Sequence, residues 1–555
     1  MRHSPKFLVL SFLPCVVFFC LPNSVSAAAG DLDTTYGLTG KVVTDFVGRG
    51  GVAYATTVQP DRKIVVGGTA FTGDIFSAAD FALVRYNLDG SLDTSFGVGG
   101  KVLTDFAGNQ DEIHGLTIQA DGKILAVGRV RNTAGIHFGL ARYHPNGTLD
   151  STFGTGGKVV ANVRLDDSEA NAVLIQPDGR IVAAGRGTSS SPTNINFALA
   201  RFNPNGSFDT TFGTGGTVVT DMGGFDIAND LALQLDGKLI AAGFKGNVAE
   251  RDNYALARYN PDGSLDDTFG SGGKVETDFF LADDRGRSVA LQADGKILVA
   301  GGVRPEIGGE RHFFGIARYK TDGTLDGDFN STGKVTTDFA QYSPTFAENF
   351  AVVVQPDNKI ISVGWMNHGF ALARYNPGGS LDGTFGIQGM VLIATPGPLF
   401  AAVLQPDSKL FVAGGNGSSG FSTARFLTTA TNAPILQIEA NSTNAVAIDS
   451  VTFVRAPFSV TNDLNFSADH RTRIILFAAN LTLASGENTS SVTVQAQTSG
   501  GTIISLPVEF VGVVPNCEWF TQVVVRLPDA VANAGAVQVS ITHGNTSNQG
   551  TVVIN

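Results

Sequence analysis

The chain has 555 residues, 43% of them apolar, with 68 glycines and only 16% charged residues, which gives ample material for packed cores and argues against disorder. Fifty acidic against 38 basic residues set a formal net charge of −12, so long-range electrostatics repel nucleic acid and anionic membrane surfaces, and neither is expected as a partner.

In chain order, the first predicted element is a signal peptide over residues 1–27. Arg2, His3 and Lys6 precede an apolar stretch from Phe7 to Leu21, and Val25-Ser26-Ala27 offers a small-residue cleavage site. The apolar run is short and carries Pro14, whereas a spanning helix needs about 20 apolar residues. A secreted protein is therefore expected, extracellular, at the cell surface or periplasmic, with no membrane span. Cys15 and Cys20 leave with this segment, and the remaining Cys517 has no intramolecular disulfide partner, so stability rests on packing. A monomer is expected.

From residue 31 the sequence repeats. Leu-Asp-x-x-Phe-Gly, with small variations, starts at Leu32, Leu92, Leu149, Phe208, Leu265, Leu325 and Leu381, at spacings of 60, 57, 59, 57, 60 and 56 residues. A second landmark, Gln-Pro-Asp-Gly-Lys-Ile and its variants, begins at Gln59, Gln119, Gln176, Gln234, Gln292, Gln355 and Gln405. A third, Ala-Leu-Ala-Arg-Tyr-Asn, carries Arg85, Arg142, Arg201, Arg258, Arg318, Arg374 and Arg425.

One copy, Gly272 to Asn330, reads as four strands: Lys274 to Phe279, Ser288 to Gln292, Lys296 to Ala300 after an Asp294-Gly295 turn, and Phe313 to Tyr319. Runs such as Ile297-Leu298-Val299 are apolar on both faces, which an antiparallel sheet needs when both faces are covered, as in stacked propeller blades. The region starts with a lone strand at Lys41 to Phe46 and ends with an unpartnered one at Ser422 to Phe426, so the two complete one blade and close a ring. The expected fold is all-β: a seven-bladed β-propeller of four-stranded blades over residues 31–428 with strand-swapped closure. An open solenoid is the competing arrangement.

These residues resemble the delta-60 repeat family of secreted and surface bacterial proteins, through Phe-Ala-Leu-Ala-Arg-Tyr-Asn-Pro-Asp-Gly-Ser-Leu-Asp-x-Thr-Phe-Gly followed by Gly-Gly-Lys-Val and Gln-Pro-Asp-Gly-Lys-Ile. The resemblance spans about Asp31 to Thr428. It implies architecture and carries no catalytic residues across.

The repeated charges have a structural reading. Alternation puts Arg85 on the face of Phe81 and Leu83, so its guanidinium enters a blade interface and needs a carboxylate there. Asp93, Asp150, Asp209, Asp266, Asp326 and Asp382, with Asp33 at the start, are the available partners. Asn260 to Asp266 places oxygens near a glycine but lacks the spacing and closing glutamate of a calcium loop, so Asx-turn chemistry is expected.

Function is sought where the copies differ. The hairpins and Asn-Pro-Asp-Gly connections share one face of the disc. The other carries the variable loops Thr69 to Asp80, Arg129 to His137, Arg186 to Asn196, Phe244 to Asn253 and Val303 to His312. Asp111, Glu112, Asp166, Asp167, Asp283 and Asp284, with Asp226 and Asp230, lie on segments entering the innermost strands and predict an acidic channel mouth. The first six are candidate metal ligands, with calcium the cation they would suit. No other cofactor is called for. His114, Glu310, Arg311, His312, Tyr342, Trp365 and His368 are unrepeated and share no motif spacing.

A small polar linker over 429–436 precedes a domain over 437–555. Runs at Arg473 to Phe477, Ser491 to Ala496, Leu506 to Phe510, Thr521 to Leu527 and Val537 to Ile541 alternate as in a β-sandwich. Arg471 to Leu527 is similar to the C-terminal immunoglobulin-like domains of secreted acidobacterial proteins, which implies surface presentation or adhesion. With no nucleophile motif, zinc signature or phosphate loop, two functions remain. One is a scaffold that binds an extracellular protein or carbohydrate. The other is a polysaccharide hydrolase or lyase with its site at the acidic mouth.

Overall fold

The computed structural model describes residues 28–46, 50–71, 78–106, 110–163, 167–188, 195–246, 251–307, 309, 311–339, 346–366, 369–394 and 397–429 of a first compact unit. Of a second it describes 435–436, 447–449, 471–479, 481, 487–514, 517–543, 545–546 and 550–554. The signal-peptide segment, Asp166, Glu310, Tyr342, His368 and most of the linker lie outside the described residues.

The described regular structure of residues 28–429 is all strand, built as repeated four-stranded antiparallel sheets. In the first, Gly51–Val58, Ile64–Phe71, Ala79–Tyr86 and Lys101–Thr104 pair in chain order. The same order recurs from Asp111–Ile118, Asp167–Ile175, Phe225–Leu233, Asp284–Leu291 and Ala347–Val354 onward, with parallel bridges, Ala79 to Gln110 and Ile195 to Phe225, between neighbouring repeats. The last sheet takes Leu399–Leu404, Leu410–Gly414 and Phe421–Phe426 from the end of the region and its outer strand, Lys41–Thr44, from the beginning. Lys41 lies opposite Ala424 and Thr44 opposite Phe421.

The middle strands are buried along their length, as Ile64–Phe71 is, because their apolar side chains leave both faces of the sheet into cores shared with neighbouring sheets. The inner strand of each sheet packs on that of the next, and Leu399–Leu404 packs on Gly51–Val58. The inner strands thus surround a common axis. Tyrosines tie consecutive sheets together: Tyr86, Tyr143, Tyr259 and Tyr319 donate to Thr44, Thr104, Thr220 and Thr277 at 2.7, 2.9, 2.9 and 2.8 Å. Each such buried hydrogen bond contributes about 1 kcal/mol.

The tight hairpin after each Gln landmark demands one left-handed residue. Gly122, Gly179, Gly237 and Gly295 fill it with φ between 79° and 84°, while Arg62, Asn358 and Ser408 take the same position at φ 68°, 62° and 63°.

Two boundaries differ from the sequence reading. The expected loop Arg129 to His137 is mostly strand, because Ile124–Asn132 and Gly135–Tyr143 run on to a short turn at Thr133-Ala134. The inner strand expected at Ser288 to Gln292 begins earlier, at Asp284, because a bulge between Gly286 and Ser288 lets the pairing continue.

The second unit has two antiparallel sheets around one core, in which Ile474, Leu476, Val523 and Val525 of one meet Val494, Ala496, Val539 and Ile541 of the other. The run Leu506 to Phe510, read as one strand, is split at Pro507. Ile503–Leu506 belongs to one sheet and Val508–Val514 to the other, since proline has no N–H to continue the ladder.

Deleting residues 28–46 strips the outer strand from the last sheet and bares the edge of Phe421–Phe426. Thermal melts and size-exclusion chromatography are expected to show a lower Tm and concentration-dependent association. An unchanged monomer with the full-length Tm would contradict this.

Candidate functional site

At the hairpin end the repeated charges meet. Arg85 Nε donates to Asp93 Oδ2 at 2.7 Å, and the same contact links Arg142 to Asp150, Arg201 to Asp209, Arg258 to Asp266 and Arg318 to Asp326 at 2.7 to 2.8 Å. Arg374 lies 2.9 Å from Asp382, and Arg425 reaches Asp33, across the two ends of the region, at 2.7 Å. A second cation from the hairpin clamps each aspartate: Lys63, Lys123, Arg180, Lys238, Lys296, Lys359 and Lys409 approach within 2.8 to 3.3 Å. Despite their burial, these bonds hold the carboxyls of Asp93, Asp150, Asp266 and Asp382 well below the usual carboxylate range.

The remaining guanidinium donors are also used. Arg258 Nη2 donates to Thr268 Oγ1 at 3.1 Å, its Nη1 to the Thr321 carbonyl of the next sheet, and its plane lies 4.5 Å from the Phe269 ring centre. Arg425 closes the series by donating to the Leu88 carbonyl. In the connection before each motif aspartate, Asp262 Oδ1 accepts from Ser264 N at 2.9 Å and Ser264 Oγ at 2.7 Å, a turn-forming geometry with no ligand gap.

At the opposite end Glu112 and Asp283, two of the acids expected to form a negative mouth, have cationic partners, as do other acids nearby. Glu169 meets Arg186 at 2.9 Å, Asp283 meets Arg304 at 2.7 Å, Glu348 meets Arg287 at 2.7 Å, Glu276 meets Lys245 at 2.8 Å and Glu112 lies 3.9 Å from Arg129. Arg285 pairs with Asp252 and Arg311 with Asp338. These cations offset part of the acidic charge, whereas Asp111, Asp226, Asp230 and Asp284 are held by backbone N–H groups.

The adjacent candidates also separate, because neighbours on a strand face opposite sides. Asp111 is fully buried and accepts from Phe106 N at 2.9 Å and Arg131 N at 3.3 Å, whereas Glu112 turns to the axis. Asp111 does meet two carboxylates that sequence reasoning missed: oxygens of Asp80, Asp105 and Asp111 all lie within 4.8 Å of one another. Among the described residues these are the one group of three or more such side chains whose ligand atoms come this close. Asp167 is exposed and accepts from Ile136 N at 2.7 Å. Asp284 is buried and accepts from Phe279 N at 2.6 Å. Burial, reinforced by neighbouring carboxylates, pushes Asp111 and Asp226 up to about 6 and Asp284 up to about 7.

The unrepeated chemistry converges on the axis. Each inner strand carries a bulge, and the residue it leaves unpaired is Tyr54, His114, Asn171, Asn229, Arg287, Phe350 or Phe400. These residues form a ring. Tyr54 packs edge-on to His114 with centroids 5.4 Å apart, and His114 Nδ1 lies 3.2 Å from Asn171 Oδ1. Asn171 Nδ2 donates to Ala228 O at 2.9 Å and Asn229 Nδ2 to Gly286 O at 2.7 Å. Arg287 stacks 5.5 Å from the Phe350 centroid, Phe350 sits 4.9 Å from Phe400, and Phe400 returns to Tyr54 at 5.1 Å.

Glu112 Oε2 lies 3.3 Å from His114 Nε2, and Glu169 Oε1 lies 3.7 Å from its Nδ1. Burial opposes the imidazolium, but the bond to Glu112 and the charge of Glu169 outweigh it and raise the His114 pKa. Of the other unrepeated candidates, Arg304 Nε donates to His312 at 2.9 Å, His312 stacks on Phe346 at 4.2 Å, and Trp365 lies 5.2 Å from Phe346. Apart from His114, sequence reasoning missed the ring. The signal was present, since every member stands five places before its Gln landmark, Tyr54 before Gln59 and Phe400 before Gln405.

Arg258→Ala leaves Asp266 with Lys238 alone and is expected to cost about 3–5 kcal/mol in denaturant unfolding, with Arg258→Lys failing to restore it. The raised carboxyls act in the opposite direction. Their folded pKa values lie above the unfolded value of about 3.9, so stability is full below pH ~4 and is lost as pH rises toward ~7. Asp284→Asn is expected to flatten this decline and to stabilise at pH 8 by up to about 4 kcal/mol, read as Tm against pH.

No curated protein matches the chain. The family described as "Domain of unknown function (DUF5122) beta-propeller" matches residues 59–96, 119–153, 176–212, 234–269, 292–329 and 355–385. Each matched segment starts at a Gln landmark and takes in the arginine and aspartate of the clamp. Residues 59–385 carry the repeats of a β-propeller repeat family.

Proposed function

We propose that the protein is a secreted or cell-surface scaffold, a seven-bladed propeller closed by Lys41–Thr44, that binds an extracellular protein or carbohydrate at its variable-loop end. Its C-terminal unit, read as immunoglobulin-like, presents it. One observation carries the binding reading: the repeated polar residues satisfy one another at the hairpin end, while the unrepeated ones gather around the axis. A rigid frame with chemically distinct side chains at one concave end is the usual construction of a binding site. Secretion is supported by the sequence of residues 1–27.

The Glu112, His114 and Glu169 group beside Tyr54 favours a second reading, a polysaccharide hydrolase or lyase. Carboxylates around an imidazole supply acid and base groups within reach of one substrate bond.

Glycan and extracellular-protein arrays probed with residues 28–555 test both readings. Binding is expected to fall about tenfold or more in His114→Ala and Arg287→Ala and to be unchanged in Leu235→Ala, a fully exposed residue at the hairpin end. Loss in Leu235→Ala alone would contradict the assignment. Release of reducing or unsaturated ends that disappears in Glu169→Gln would establish the enzymatic reading.

A further inference from the structure

The ring has two dissimilar arcs. Phe350, Phe400 and Tyr54, from three successive inner strands, form a continuous aromatic wall with centroid separations of 4.9 and 5.1 Å. The other arc carries His114, Asn171 and Asn229, with the Glu169 to Arg186 pair beside it. All these residues are partly exposed, so solvent reaches both arcs.

We propose that this axial site takes a neutral polysaccharide, whose sugar rings stack on the aromatic arc while their hydroxyls bond the amide and ion-paired arc. The inference rests on the binding reading above and names its ligand. Aromatic faces suit a ligand with a flat apolar side, and a purely apolar ligand would desolvate the amide and ion-pair hydrogen-bonding positions that the internal bonds leave over. A charged ligand is disfavoured because the carboxylates beside the ring are already engaged: Glu169 by Arg186, Glu348 by Arg287, Glu112 by His114 and Arg129, and Asp230 by Ser288 Oγ and Val289 N. An incoming ion would have to break or desolvate such a pair, leaving a partner uncompensated. Hydroxyls both donate and accept, so they can bond a carboxylate and its guanidinium without separating them.

The test is calorimetric titration of residues 28–555 with neutral hexose and pentose oligosaccharides, matched oligouronates and matched amino-sugar oligomers. Saturable binding of a neutral oligomer is expected, weakened about tenfold or more in Phe400→Leu and in Glu169→Gln. Phe400→Leu keeps apolar bulk but loses the flat face, and an unchanged Tm shows that it folds. Tighter binding of an oligouronate or amino-sugar oligomer than of its neutral counterpart would overturn the proposal. If no sugar binds but a protein from the array does, and Phe400→Leu abolishes it, the ligand class is wrong while the binding reading stands. If neutral sugars bind equally to both variants, the axial site is wrong.

Discussion

Each aspartate of the Leu-Asp-x-x-Phe-Gly motif sits between two cations, one from the Ala-Leu-Ala-Arg strand and one from the preceding hairpin, and the same arginine reaches the backbone of the next sheet. Removing such charges from water is costly, and the cost is met only when every donor and oxygen is occupied. Here it is met by geometry. The guanidinium plane lies against a phenylalanine, its three nitrogens point to three acceptors, and the hairpin lysine takes up the same carboxylate oxygen. One residue set therefore fixes the hairpin, the strand and the junction to the neighbour, which explains why all three landmarks recur together.

The closing contacts use the same device. Asp33 comes from the start of the region, Arg425 and Lys409 from its end, and Arg425 reaches on to the first sheet at Leu88. Repetition at the hairpin end leaves the other end free to vary, because bulges and loops there do not enter the clamp. The bulge position is the clearest case: an aromatic, an imidazole, two amides, a guanidinium and two more aromatics occupy equivalent places.

Much of the fold could be read from sequence because its signals are local and repeated. Two-sided apolar runs, Asp-Gly turns and the fixed spacing of Arg258 and Asp266 each depend on short-range chemistry. The candidate site could be read only in part. Asp111 and Glu112 look like a pair in sequence but face opposite sides of a strand, and Arg129, the arginine near Glu112, lies on the next strand. The Asp80, Asp105 and Asp111 cluster joins a loop exit, a strand end and a strand start, which no motif spacing records. Pro507 had a visible consequence that alternation obscured, since a proline between two β-rich runs divides them between sheets.

The residues that hold the frame are distinct from those proposed to meet a ligand. The most direct test is to substitute the seven clamp arginines and the seven bulge residues one at a time, reading unfolding free energy and ligand binding on each variant. The account predicts that the arginine variants lose stability, and that variants at Tyr54, His114, Arg287, Phe350 and Phe400 keep their folding transition and lose binding. Bulge variants that unfold as readily as the arginine variants, or that bind unchanged, would contradict it.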